Sequence, residues 1–132
     1  MKEKVICYGS AIRPQYWMSF YESLAGKNEI DFEILFTGHV RPEFELPKNL
    51  HHIYSTQGAS PCAEIARRLA HASDARYMLS CTDDYYRISP GFLDELAKDV
   101  RDANDKGYED YLTCAVFRIS PDPPRDLSLI HI

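Results

Sequence analysis

The sequence predicts an α/β fold: a three-layer, mostly parallel sheet with flanking helices. Two observations carry that expectation. Short apolar runs closed by Gly, Ser or Thr alternate with segments whose apolar residues recur at helical spacing. Two of those helical segments also open on a Ser-Pro pair, a serine cap followed by a proline suited to the first helical position.

Val5-Ile6-Cys7-Tyr8 reads as a buried strand ended by Gly9-Ser10. Pro14 suits the first turn of a helix. Trp17, Phe20, Tyr21 and Leu24 mark its buried face, and Gly26 stops it. Phe32 to Phe36 is a second strand, ended by Thr37-Gly38. His39 to Asn49 holds two prolines and no clean period, so it reads as a loop. Leu50 to Tyr54 is a third strand. Ser60-Pro61 opens a helix whose apolar face is Cys62, Ile65, Ala66, Leu69 and Ala70. Tyr77 to Cys81 is a fourth strand running straight into Thr82-Asp83-Asp84. Ser89-Pro90 opens a helix faced by Phe92, Leu93, Leu96, Ala97 and Val100, with Gly107 past its end. Tyr111 to Phe117 reads as a fifth strand.

A chain of 132 residues suggests one domain, expected over residues 1–119, followed by an irregular tail over 120–132. Hydrophobic residues at 45% and charged residues at 27% allow a core and argue against disorder as the main state. The net charge of −5 makes nucleic acid an unexpected partner. No apolar run reaches the roughly 18 residues of a membrane span, and no secretory h-region precedes the first strand. A cytoplasmic protein is the expectation. The four cysteines form no C-x-x-C pair and read as reduced, buried thiols. His51 and His52 are adjacent, so a strand would send them to opposite faces, and both read as structural.

Ligands of open α/β sheets bind outside the carboxyl ends of the strands. Those ends are Gly9-Ser10, Thr37-Gly38, Ser55-Thr56-Gln57-Gly58 and Thr82-Asp83-Asp84. Two adjacent carboxylates repel unless a positive group compensates. Magnesium or manganese is a natural partner, completing its shell with water and phosphate, which suits a nucleoside diphosphate. The alternative is a solvated acidic turn. Arg67 and Arg68 have the chemistry to hold a phosphate, or are simply a solvated helix face. There is no G-x-G-x-x-G, Walker A or G-x-S-x-G pattern.

The segment from Cys62 to Leu96, C-A-E-I-A-R-R-L-A-H-A-S-D-A-R-Y-M-L-S-C-T-D-D-Y-Y-R-I-S-P-G-F-L-D-E-L, resembles the nucleotide-sugar-binding half of family-two glycosyltransferases. These have the GT-A fold, which is Rossmann-like. Ala66-Arg67-Arg68 is similar to the family's A-R-N, and Ser89 to Leu93 to its downstream helix start. The resemblance implies that Asp84 takes the last position of the D-x-D motif as metal ligand. Asp83 takes the middle position, and Thr82 replaces the first aspartate. It further implies that Tyr8, Gly9 and Ser10 help hold base and ribose, that Arg67 lies near the donor, and that Thr37 lies where the family carries an acid toward the base. Magnesium or manganese is the implied cofactor. A nucleotide-diphosphate sugar, of uridine by preference, is the implied ligand, with the acceptor unknown. The catalytic base would come from a C-terminal half beyond this sequence, which leaves open whether that half attaches to a membrane. The alternative is a non-catalytic α/β nucleotide-binding or protein-interaction module. The tail also resembles S-P-S-P-R-D-L-S-L-I-H-I, a translation of sequencing-adapter DNA, so residues from about Ser120 are expected to be non-native and the gene product truncated.

Overall fold

A computed structural model describes residues 3–57, 60–81, 87–107, 115–119 and 127–131. The elements are β1 (Lys4–Ser10), a 3-10 turn (Pro14–Tyr16) running into α1 (Trp17–Leu24), β2 (Asp31–Gly38), β3 (Leu50–Tyr54), α2 (Ser60–Ala72), β4 (Tyr77–Ser80), α3 (Phe92–Asp105), β5 (Ala115–Ile119) and β6 (Leu127–His131). β1 to β4 form an all-parallel sheet in the order β3-β2-β1-β4. With helices on both faces, this is the expected three-layer, Rossmann-like α/β architecture.

The central strand explains the layering. Val5, Ile6 and Cys7 of β1 have no exposed surface, the near-continuous apolar run that a parallel strand covered on both faces requires. Val5 and Cys7 join Ile34 and Phe36 in a core with Trp17, Phe20 and Leu24 of α1 and Phe92, Leu93 and Ala97 of α3. Ile6 and Leu35 point the other way, onto Ala66 and Ala70 of α2. Trp17 and Phe20 centre the larger core, with ring centroids 5.1 Å and 5.8 Å from Phe36. Tilted ring pairs of this kind add about 1 kcal/mol each beyond burial.

Strand order places the candidate site. From β1 the chain moves outward to β2 and β3. It then returns across the opposite face through α2 to β4, on the other flank of β1. The carboxyl ends of β1 and β4 therefore lie side by side where the order reverses.

Two expectations are corrected here. The third helix does not start at Ser89-Pro90. Gly91, at φ 79°, interrupts the backbone, and α3 begins at Phe92. Its cap comes from across the chain: Asn28 Oδ1 accepts from the Leu93 and Asp94 N–H groups at 3.0 and 3.3 Å. The fifth strand does not extend the parallel sheet either. β5 pairs antiparallel with β6 in its own two-stranded sheet, Ala115 opposite His131. The tail expected to be irregular thus carries a strand. Pro121, Pro123 and Pro124, which lack the N–H a strand needs, dominate the reading of that stretch and obscure the short run Leu127–His131 after it.

Candidate functional site at the carboxyl rim of the sheet

The rim is built where β1, β2 and β3 end in register. Ser10 pairs with Thr37, and Gly38 pairs with Tyr54. Two further backbone bonds continue the ladder outward, Ala11 N–H to Thr37 O at 2.8 Å and Ser55 N–H to Gly38 O at 3.0 Å. The Ser55 hydroxyl accepts from the Gln57 N–H at 3.2 Å, closing the turn after β3. Gly38 has to be glycine: a Cβ there would lie 2.3 Å from the Ala11 carbonyl oxygen, a backbone atom with little room to move.

Tyr8, Gly9, Ser10 and Thr37, the residues expected to hold a nucleotide, are brought together by this register. Tyr8 is half-buried on the α2 face, and Gly9 is buried. Thr37 has no exposed surface, and among the described residues its hydroxyl has no partner in hydrogen-bonding geometry. The Cys81 N–H donates to Tyr8 O at 2.7 Å, so the chain leaves β4 directly beside β1. Asp83 and Asp84 follow Cys81 and lie outside the described residues. The other rim residues, Gly9, Ser10, Thr37, Gly38, Ser55, Thr56 and Gln57, offer hydroxyl, amide and backbone groups rather than carboxylates. A divalent ion at this rim would therefore depend on Asp83 and Asp84. Among the described residues, no cluster of three His, Cys, Asp or Glu side chains is placed to hold a metal.

Arg67 does not join the rim residues. It sits on the solvent face of α2, where its Nε and one terminal nitrogen donate to Glu64 at 3.2 and 2.8 Å. Arg68 is tied to the same carboxylate at 3.3 Å. The Glu64 hydrogen bonds hold the Arg67 pKa up and the Glu64 carboxyl down, as in an ordinary i,i+3 surface pair.

A second guanidinium does lie at the rim. The charged end of Arg41 sits 4.6 Å from the centroid of the Tyr54 ring. Tyr54 and Ile12 are exposed on either side of Gly38, and Ile12 Cγ2 lies 3.3 Å from where a Gly38 Cβ would be. No sequence pattern marks this pair, since Arg41 falls in the loop between β2 and β3 and Tyr54 ends an ordinary strand. Beneath them His52 lies 5.3 Å from Trp17, ring to ring. Burial lowers the His52 pKa, the Gly38 backbone opposes that, and the charge of Arg41 adds to the lowering.

The adjacent histidines do face opposite ways. On the α2 side the His51 ring meets Glu33 at 2.9 Å, and Lys4 reaches the same carboxylate at 3.2 Å. Cys7, Cys62 and Cys81 are buried and in no disulfide. Burial pushes Cys7 up to about 12 and raises Cys62 despite the Thr37 hydroxyl nearby. Neither supplies a thiolate nucleophile at neutral pH.

A cavity of about 300 Å³ lies at the opposite, amino end, lined by Glu3, Glu29, Ile30, Asp94, Ala97 and Arg101. Asp94, Glu3 and Arg101 in its wall are committed to one another or to backbone. Asp94 accepts from the Glu29 and Ile30 N–H groups at 2.9 Å each, and Glu3 pairs with Arg101 and, at 3.8 Å, with Arg76.

No helix among the described residues is long and apolar enough to cross a membrane. No family model matches the chain, and no curated protein or solved structure matches it either.

Proposed function

We propose that this chain is the donor-binding part of a family-two-like glycosyltransferase, acting in the cytoplasm. It binds a nucleotide-diphosphate sugar, of uridine by preference, for transfer to an acceptor still to be found. The observation that supports this best is the pairing of β1 with β4 at the reversal of strand order. Tyr8-Gly9-Ser10 and the segment leading to Asp83-Asp84 leave the sheet side by side there, with Thr37-Gly38 next in line. Small residues let a ligand approach backbone, and the two carboxylates suit magnesium or manganese. Such an ion, when bound, neutralises the diphosphate and favours its departure. The chain's own part is to orient the nucleotide. Ser10 offers a hydroxyl at the end of β1, and the bare Gly38 backbone lets the β1–α1 connection close over β2. No residue of the chain is assigned as the base that would deprotonate an acceptor.

A titration calorimetry series with uridine diphosphate, with and without manganese, tests the reading. Wild type is expected to bind at least tenfold more tightly with the metal, and Asp84→Ala to lose that gain. Equal affinity in the two conditions would point instead to a non-catalytic nucleotide-binding module. The observation favouring that second reading is the commitment of Arg67 to Glu64, away from the rim.

A further inference from the structure

Resting on the nucleotide-binding reading, we infer that Arg41, its guanidinium over the Tyr54 ring, is a group at the carboxyl rim that binds the ligand's phosphates and keeps a hold on them when no metal is present. Three observations converge on it. First, the two arginines expected from sequence to meet phosphate are both occupied by Glu64 on the outer face of α2. Second, Arg41 is exposed, and among the described residues no carboxylate lies within ion-pair reach of it. The ring beneath it restrains the Arg41 guanidinium, and no described carboxylate takes its N–H groups. That arrangement suits bidentate phosphate binding, because little side-chain freedom remains to be lost. Third, the pair stands on the rim itself. Tyr54 is the register partner of Gly38, and Ile12 adds an exposed apolar wall on the far side of that glycine. A planar base or sugar ring has an apolar surface there beside the guanidinium.

Pyrophosphate in the presence of a chelator is the direct probe, because it needs neither the base nor Asp83 and Asp84. Wild type is expected to bind it, with Arg41→Ala weakening binding about tenfold or more. Arg41→Lys should fail to restore it, because an ammonium neither stacks nor grips with two parallel bonds. Tyr54→Phe should bind like wild type, and Tyr54→Ala should lose several-fold. Arg67→Ala, removed from the rim, should leave binding unchanged. Arg41 and Tyr54 are exposed, so their variants should fold, which circular dichroism checks. Pyrophosphate binding that survives Arg41→Ala, or that falls with Arg67→Ala instead, overturns the inference. Loss of manganese-dependent uridine diphosphate binding in Asp84→Ala reports separately on the glycosyltransferase reading. Chelator-resistant, Arg41-dependent pyrophosphate binding without any such loss would uphold the arginine while removing the metal site.

Discussion

The two ends of the parallel sheet treat their polar groups in opposite ways. At the amino end they satisfy one another. Asn28 caps α3, Asp94 returns the favour to Glu29 and Ile30, and the Ser23 hydroxyl accepts from the Ile88 N–H at 2.9 Å. Lys27 O accepts from Gly91, and Glu3 takes Arg101 and Arg76. Asn28 Nδ2 is the exception, buried with no partner among the described residues. At the carboxyl end the Thr37 hydroxyl and His52 Nε2 are likewise buried with no partner among the described residues, and the contact of Arg41 there is the Tyr54 ring. Burying an unpaired polar group costs about 1–3 kcal/mol. Among the described residues the fold meets this cost once at the amino end and twice at the carboxyl end. The amino-end network fastens the helices to the sheet, whereas the carboxyl end carries more uncommitted polar groups.

The strongest way to break this comparison is to cut the amino-end fastening. Asp94→Ala removes the acceptor of two N–H groups and exposes the turn before β2 to reorganisation. A loss of about 2 kcal/mol in urea unfolding is expected, since bonds to a carboxylate are worth more than neutral ones and Glu29 is exposed enough to recover water. Asp94→Asn, which keeps one acceptor, should fall between. A cost below a few tenths would mean that the network is incidental.

The carboxyl end should respond with the opposite sign. Thr37→Val replaces a hydroxyl without a partner by a methyl of nearly the same shape. It should leave stability unchanged or raise it by up to about 1 kcal/mol, while weakening uridine diphosphate binding. A clear destabilisation would show that the hydroxyl has a structural partner, and would move Thr37 from the functional end to the structural one.

Most of the fold was legible because each strand and helix carries its own local signal. The apolar run of β1 and the Trp17-Phe20-Leu24 spacing announce themselves without tertiary context. Ser60-Pro61 does start a helix, whereas Ser89-Pro90 does not, because the cap of α3 comes from Asn28, more than sixty residues earlier. A pattern read along the chain has no access to such a partner. The site divided the same way. Strand-end residues could be read as a set, since a parallel sheet must gather its carboxyl ends at one edge. Whether an arginine points at that edge could not. Arg67 has a carboxylate three residues before it, which is visible in the sequence as the pair that would hold it. Arg41 has Glu43 and Glu45 close by in sequence and pairs with neither, meeting instead an aromatic ring on another strand. Asp83 and Asp84, the pair on which the metal proposal turns, lie outside the described residues.

The smallest expected effect is a tilt of stability with pH, and it also distinguishes two sides of the molecule. On the α2 face, burial alone would raise the Glu33 carboxyl, but hydrogen bonds from His51 and Lys4 outweigh it and hold the pKa below its usual value of 4.5. A carboxyl lowered in the folded state contributes stability that is present above pH 4.5 and is lost as pH falls through the folded value. On the opposite face His52 is lowered from 6.5, chiefly by burial. Its unfolded form takes up a proton first, so the penalty appears as pH falls below about 6.5, before Glu33 begins to titrate. Unfolding free energies for wild type and His52→Gln, measured at intervals from pH 7.5 to 3, separate the two groups. Wild type should weaken between pH 7.5 and 5 and the variant should be flatter there, with both weakening again below pH 4.5. If anion binding at Arg41 stabilises the protein, added pyrophosphate should raise both curves by the same amount. A rise confined to wild type would make His52 part of the anion site rather than the packing beneath it.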